Sequence, residues 1–193
     1  MRPALLERHP ALDLPWIPLR SDPAAVGHHP DLGLWIWDEG RVAFPYGGNK
    51  VRKLEWLLAR ARREGAEVVA TFGGVGSHHV LATAIHARAQ GFRPFAAVFP
   101  QPDAPRVREH ARLVDAWCEG LFPASSRFEV PLSWFRALGV IRVTGRTRPF
   151  VVPAGGGGPV GTLGWVDAAI DIARAVDRGA LPRPAQVVVP FGS

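Results

Sequence analysis

Short apolar segments typical of strands alternate with amphipathic segments typical of helices along most of this chain, and that alternation limits the folds open to it. The pattern predicts strands at residues 34–37, 67–72, 94–99, 121–123, 150–152 and 186–189. It predicts helices at about residues 51–64, 78–90, 106–119 and 160–177, and it favours another at 131–143. Such alternation indicates βαβ units with mostly parallel strands, so the predicted fold class is α/β with flanking helices.

The composition is that of an ordinary globular protein, with 47% hydrophobic and 21% charged residues in a chain of 193. The single cysteine, Cys118, excludes an internal disulfide, and beside Trp117 in a predicted helix we interpret it as a packing residue. No stretch approaches the roughly 20 apolar residues that span a bilayer, and residues 1–33 read mainly as loop without a signal peptide. We therefore expect a cytoplasmic protein without membrane contact.

The net charge of +6 could suggest a polyanionic partner. The arginines are scattered, however, and no basic surface with interleaved aromatic residues is indicated, so we expect no nucleic-acid partner. The seven histidines show no tight spacing with Cys, Asp or Glu, and no metal site is predicted.

Lysine is scarce in this chain: of 23 basic residues only Lys50 and Lys53 are lysines, and they lie three positions apart. Arginine cannot form a Schiff base because its guanidinium stays protonated, whereas a lysine amine can be tuned to attack a carbonyl. Gly47 and Gly48 precede Lys50 at the predicted start of a helix, where backbone can approach an anionic ligand. An ordinary helix start with two solvated lysines explains the same spacing.

Two further glycine-containing turns follow predicted strands. The first ends in Ser77, His78 and His79 at a helix N-terminus, an array that suits a carboxylate or phosphate, although an ordinary βα loop with a serine cap fits equally. The second contains Gly156, Gly158 and Gly161 in the G-x-G-x-x-G spacing of dinucleotide-binding turns. That match is weak, because the expected ribose-binding acid does not close the following strand.

The chain ends on an apolar segment and the pair Gly192-Ser193, where a turn in a parallel sheet normally leads into a helix. We therefore expect that the chain is truncated where a phosphate-binding loop begins.

Three segments, taken in order, resemble one known family: residues 47–55 (GGNKVRKLE), 73–79 (GGVGSHH), and 153–156 (PAGG) with 161–165 (GTLGW). They are similar to the fold-type-II pyridoxal-phosphate enzymes, specifically the 1-aminocyclopropane-1-carboxylate deaminase and D-cysteine desulfhydrase family. Position 78 departs from the family pattern, which has asparagine there, and residues 36–39 (IWDE) depart from its Lys-Arg-Asp-Asp element. His79 agrees better with the desulfhydrase-like pattern.

The resemblance implies a tryptophan-synthase-β-like architecture of two domains. Residues 1–55 would form the lead-in and the Schiff-base lysine segment of the large cofactor-binding domain. Residues 56–149 would form a smaller α/β domain, and residues 150–193 would return to the large domain, incomplete at the phosphate loop.

The resemblance also implies the cofactor pyridoxal 5'-phosphate, attached to Lys50. It implies that Ser77 is catalytic or meets the substrate carboxylate, and that His78 and His79 bind substrate. Cofactor contacts would come from Asn49 and His78 and, at the start of the phosphate cup, from Gly192 and Ser193.

The leading hypothesis is thus a pyridoxal-phosphate-dependent lyase or deaminase acting on a small amino acid, a homodimer when full length. A non-catalytic fragment or degenerate paralogue of that family is the alternative, and a nucleotide-binding α/β module is a weaker one.

Overall fold

The protein is described by a computed structural model that covers residues 2–143 and 149–189, with only the backbone given for residues 142 and 143. Six helices are labelled in chain order: α1 (Ala4–Arg8), α2 (Lys50–Arg63), α3 (His78–Ala89), α4 (Pro105–Trp117), α5 (Val130–Val143) and α6 (Pro159–Asp177). Six strands are β1 (Ala25–His29), β2 (Leu34–Asp38), β3 (Val68–Gly74), β4 (Arg93–Phe99), β5 (Gly120–Pro123) and β6 (Phe150–Val151).

Four of the strands form a parallel sheet in the order β5-β4-β3-β6. The central strands β3 and β4 are apolar and mostly buried, as expected for parallel strands covered on both faces. Side chains of successive residues point to opposite faces, so Val69 packs against α2 and α3, while Val68 and Ala70 pack against Ile141 of α5. The sheet with its flanking helices confirms the predicted α/β class.

Helix α2 packs against the sheet because its apolar residues recur at helical spacing. Leu54, Leu57 and Leu58 are 3% exposed or less and contact the core around Val69. Gly65 follows the helix with a φ of 70°, a left-handed conformation that glycine adopts without strain. The periodicity in the sequence therefore located this helix to within one residue at each end.

The first 33 residues contain more regular structure than expected. Helix α1 packs Leu5 and Leu6 against Trp56, and β1 pairs with β2 as an antiparallel hairpin. The prediction of a loop-dominated segment was wrong here because tertiary contacts stabilise a helix of one turn, and β1 contains Gly27, His28 and His29 rather than alternating apolar residues.

The strand predicted at residues 186–189 is absent: these residues are irregular, and Val187, Val188 and Val189 are 63%, 80% and 63% exposed. A strand needs a neighbour for its backbone groups, and no strand of residues 2–143 or 149–185 pairs with this segment. The predicted Gly192-Ser193 turn lies outside the described residues.

Strand β6 belongs to the same sheet as β3, with Val69 opposite Phe150. The predicted domain boundary between residues 149 and 150 would therefore separate two paired strands of one sheet. The division into two domains stays a prediction.

Cys118 lies just after α4 rather than within a helix, and burial raises the pKa of its thiol to about 12. Within the described ranges, no helix combines the length and the apolar character needed to cross a membrane.

Candidate active site

The N-termini of α2 and α3 meet, and the segment that precedes α2 is fastened to α3 at two points. The hydroxyl of Tyr46 lies 2.5 Å from Nδ1 of His78, and Nε2 of His86 donates a hydrogen bond to the Tyr46 carbonyl over 2.8 Å. The first two sequence motifs, which carry Lys50 and Ser77, are therefore neighbours in the fold.

Lys50 is the first residue of α2 and is 9% exposed. Among the described residues no carboxylate forms an ion pair with it. Burial lowers the pKa of its amine, and the nearby charge of Lys53 lowers it further. Both effects increase the fraction of neutral amine, which is the form that can attack a carbonyl.

Lys53, one turn further along α2, is engaged by the third motif. Its Nζ donates to the carbonyl oxygen of Gly155 over 3.0 Å and lies 5.9 Å from the centre of the Trp165 ring. Burial lowers the pKa of Lys53 as well. Because Lys53 already has a protein partner, Lys50 is the better candidate for reaction with a ligand.

Ser77 immediately precedes α3, and its hydroxyl does not cap the helix. The hydroxyl is half-buried and remains available to a ligand at the helix N-terminus, as the sequence predicted for a carboxylate site. Asn49, just before α2, is exposed and likewise makes no side-chain cap. Their predicted roles toward substrate and cofactor stay predictions.

His78 and His79 are adjacent in sequence but point into different surroundings. His78 is exposed, and its ring lies 4.3 Å from that of His110, nearly perpendicular to it. His79 is 3% exposed, with Nε2 2.9 Å from Oγ1 of Thr71, which itself donates to the carbonyl of Val152. The structure therefore puts His78 at the surface of the site and His79 in its wall.

His79 is a neutral imidazole at neutral pH. Burial lowers its pKa to about 4, and the charges of Lys50 and Lys53 act in the same direction. Since Thr71 uses its only proton on Val152, its hydroxyl accepts from the protonated Nε2 of His79. His79 thus joins β3, α3 and the residues after β6 behind the two lysines.

No family model matches this chain, but individual proteins resemble it in sequence and in fold. Nocardicin C-9' epimerase of Nocardia uniformis subsp. tsuyamanensis is 35% identical over 188 residues, covering 93% of this chain and 56% of that protein. A Pyrococcus horikoshii protein named for 1-aminocyclopropane-1-carboxylate deaminase is 32% identical, covering 88% of this chain and 52% of that protein. D-cysteine desulfhydrase of Klebsiella pneumoniae is 29% identical, covering 88% and 53%.

A solved structure described as an ACC deaminase homologue superimposes with a TM-score of 0.73 at 27% identity, covering 90% of this chain and 54% of that one. This chain belongs to the 1-aminocyclopropane-1-carboxylate deaminase and D-cysteine desulfhydrase family. The family member described here spans about half the length of the curated relatives it matches.

In this family member the glycines of the third motif bring helices together. A Cβ at Gly164 would lie 2.6 Å from the carbonyl of Arg52, and one at Gly161 would lie 1.9 Å from the carbonyl oxygen of Gly156. Only glycine allows α6 to approach α2 so closely. Close packing thus requires glycine at Gly161 of the G-x-G-x-x-G spacing, whereas Gly158 has a φ of 92° with open space where a Cβ would lie. The weaker alternative of a nucleotide-binding module stays a prediction.

The opposite side of α2 carries an extensive set of ion pairs that the sequence did not reveal. Glu55 accepts from Nε of Arg20 at 2.9 Å, and Asp167 accepts from Arg20 at 2.7 Å and from Arg52 at 3.1 Å. We call this set the buried charge network; its members are Arg20, Glu39, Arg52, Glu55, Asp167 and Asp171.

The buried charge network connects the lead-in to α2 and α6. Backbone N–H groups of Leu19 and Arg20 donate to Glu55, and that of Leu5 donates to Asp167. Burial raises the pKa of Glu55, an effect that Arg20 opposes. The only signal in the sequence was that Arg52 and Glu55 lie three positions apart in the same helix. Nothing in the sequence indicated their partners in α6.

Proposed function

We propose that this chain is the lysine-bearing part of a pyridoxal-phosphate-dependent lyase or deaminase that acts on a small amino acid, with Lys50 as the attachment point. The observation that supports this most strongly is the contrast between the two lysines. The amine of Lys53 is hydrogen-bonded to Gly155, whereas Lys50 is buried near His78, with its pKa lowered and no carboxylate partner in the described part of the chain.

The residues around Lys50 fit an anionic cofactor that carries an aldehyde. The N-terminus of α3 favours negative charge, and Lys50, Lys53 and Arg106 supply positive charge around it. The Ser77 hydroxyl, which caps no helix and has no hydrogen-bond partner among the described residues, would hold the substrate carboxylate. In this proposal Asn49 and His78 would contact the cofactor, and Gly192 and Ser193 would contact its phosphate.

Once bound, pyridoxal phosphate would withdraw electrons from the α-carbon of an amino acid, which is the chemistry this chain cannot supply itself. Lys50 would accept or return a proton at that carbon, because its lowered pKa increases the fraction of neutral amine that can act as a base. The wall formed by the neutral His79 and by Thr71 would exclude water behind the amine.

Covalent attachment tests the proposal directly. The chain is mixed with pyridoxal phosphate, reduced with borohydride and digested, and the modified lysine is located by mass spectrometry. We expect modification of Lys50 that is lost in Lys50→Arg and kept in the matched variant Lys53→Arg. Modification that survives in Lys50→Arg would move the assignment to Lys53.

The alternative of a non-catalytic fragment or degenerate paralogue predicts a chain that is folded by circular dichroism but modified at neither lysine. The substrate is a separate question, addressed with a full-length form. Sulfide release from D-cysteine and ammonia release from 1-aminocyclopropane-1-carboxylate report the activities for which two relatives are named. Exchange of an α-proton in deuterated water without either product would favour epimerisation, the activity for which another relative is named.

A further inference from the structure

Tyr46 and His78 form a hydrogen-bonded pair at the mouth of the site, with the Tyr46 hydroxyl 2.5 Å from Nδ1 of His78. Both partners are fixed from outside the pair. His86, which is 3% exposed, holds the backbone of Tyr46, and the His78 backbone begins α3. The backbone of each partner is therefore held in place by contacts other than the hydrogen bond between them.

The charges around this hydrogen bond determine the protonation states of its two partners. The groups that act on His78 are Lys50 from α2 and Arg106 and His110 from α4, and all of them, together with burial, lower the pKa of His78. A neutral imidazole carries one proton, so one ring nitrogen must accept. Burial raises the pKa of Tyr46, an effect that Arg106 opposes, so at neutral pH the phenol keeps its proton and can donate it.

The neighbouring His110 does not compete for Nδ1 of His78. Nδ1 of His110 lies 3.1 Å from the carbonyl oxygen of Gly76, and a carbonyl can only accept, so that nitrogen of His110 is protonated. Its ring meets the His78 ring edge-on, which limits rotation of His78. Among the described residues the Tyr46 hydroxyl is thus the group that lies within hydrogen-bonding distance of Nδ1 of His78.

We propose that Tyr46 is a positioning residue: its hydroxyl donates to Nδ1 of His78 and keeps the proton of His78 on Nε2, which then donates to a negatively charged oxygen of a ligand beside Lys50. The first half concerns the chain alone. The second half rests on the proposed function, because it requires a ligand at Lys50. The oxygen is either one of the pyridoxal ring or one of the substrate carboxylate.

Tyr46 is the only tyrosine in the chain, so its ionisation can be followed by tyrosinate absorbance without interference from other tyrosines. A phenol that donates to His78 is stabilised in its protonated form. Replacing the acceptor by His78→Phe is therefore expected to shift the Tyr46 midpoint to lower pH, and His78→Gln, whose carbonyl can accept, is expected to restore it. The matched control His29→Phe, on the exposed strand β1, should leave the midpoint unchanged.

The sign of that shift decides the direction of the bond. If His78 instead donated to the phenol oxygen, it would stabilise the ionised form, and His78→Phe would move the midpoint to higher pH. A shift to higher pH, or no shift, would overturn the proposal.

Nitrogen-15 spectra of histidine-labelled protein provide a second measurement, which keeps the native residue at position 78. The His78 signals are those lost in His78→Gln. Without ligand we expect a protonated Nε2 and an unprotonated Nδ1, with Tyr46→Phe giving a mixture of both tautomers. A protonated Nδ1 in the native chain, or identical spectra in Tyr46→Phe, would contradict the assignment.

Adding pyridoxal phosphate, and then glycine as a source of carboxylate, tests the second half. Movement of the Nε2 signal at the first addition identifies a cofactor oxygen, and movement only at the second identifies the carboxylate. No movement in protein that mass spectrometry shows to be modified at Lys50 would overturn the donor role. If pyridoxal phosphate does not attach to the chain at all, the proposed function is refuted. The tautomer of His78 without ligand is still determined by the nitrogen-15 spectra.

Discussion

The two sides of helix α2 differ in whether their buried charged side chains have partners of opposite charge. On one side, Arg52 and Glu55 are enclosed in the buried charge network, where each charged group has partners of opposite sign within about hydrogen-bonding distance. On the other side, Lys50 is also buried, but in the part of the chain that the structure describes it forms no ion pair with a carboxylate, and the nearby charge of Lys53 repels its own. The same helix therefore carries a structural set of charges and a reactive one.

The difference explains how a reactive amine can be held in a folded chain. An unpaired lysine in a wall of low polarity costs stability, because burial disfavours the charged form. The buried charge network fixes α2 against α6 and the lead-in, so the position of Lys50 does not depend on contacts of its own. The buried charge network thus holds the helix in place on one side, while Lys50 remains a reactive amine on the other.

The largest expected effect is on the paired side. Asp167 is fully buried and accepts from Arg20, Arg52 and the Leu5 backbone. Asp167→Ala leaves two buried guanidinium groups short of a partner, which is expected to cost about 3–5 kcal/mol of unfolding free energy in urea denaturation.

The matched control for that change is Glu64→Ala, which removes the exposed partner of Arg60 on the same helix at 2.7 Å. An exposed pair one turn apart contributes about 0.5 kcal/mol or less. Equal losses of unfolding free energy in Asp167→Ala and Glu64→Ala would show that the buried charge network does not fix α2 in the fold.

The next effect appears on the reactive side as a pH dependence. The pKa of His79 is lowered to about 4 in the folded chain, against an ordinary value of 6.5. Between these values the unfolded chain binds a proton that the folded chain does not. Stability is therefore expected to fall as the pH decreases through this window, by about 3 kcal/mol in total.

His79→Asn should remove that component while keeping a donor toward Thr71. The comparison is the difference in unfolding free energy between pH 7 and pH 4.5, measured for the native chain and for the variant. Carboxylates of the buried charge network contribute equally to both proteins, so they cancel. An unchanged pH slope in His79→Asn would mean that His79 is not the buried neutral base described above.

The smallest expected effect separates the two lysines. Lys50→Met replaces an unpaired buried amine by an apolar side chain of similar length, and a gain of about 1 kcal/mol or less in unfolding free energy is expected. Lys53→Met loses the 3.0 Å bond to Gly155 and should be neutral or destabilising. Thermal unfolding of both variants at pH 7 provides the test, and a loss in Lys50→Met larger than in Lys53→Met would reverse the assignment of roles.

The sequence predicted what depends on local pattern. Apolar residues at helical spacing located α2, and the short apolar segments located β3 and β4, because periodicity and glycine stops act within a few residues. The lysine pair and the Ser77 turn were recognised for the same reason. Family resemblance then assigned chemistry to them.

What could not be predicted depends on contacts between distant segments. Asp167 in α6 meets Arg20 in the lead-in, and no pattern along the chain relates these positions. The pairing of Tyr46 with His78 likewise arises only when α2 and α3 come together. The segment at 186–189 shows the converse: a strand-like composition does not form a strand where no neighbour is present.

The position of β6 has a consequence for the order of assembly. Strands β3, β4 and β5 follow one another along the chain and pair as neighbours, so they can form as the nascent polypeptide emerges. Strand β6 reaches β3 only after α5 has been made, and it brings the Gly155 carbonyl and Asp167 behind it. Each side of α2 thus gains a partner from a segment that is synthesised after β5, and the two lysines acquire distinct surroundings only once that segment has been made.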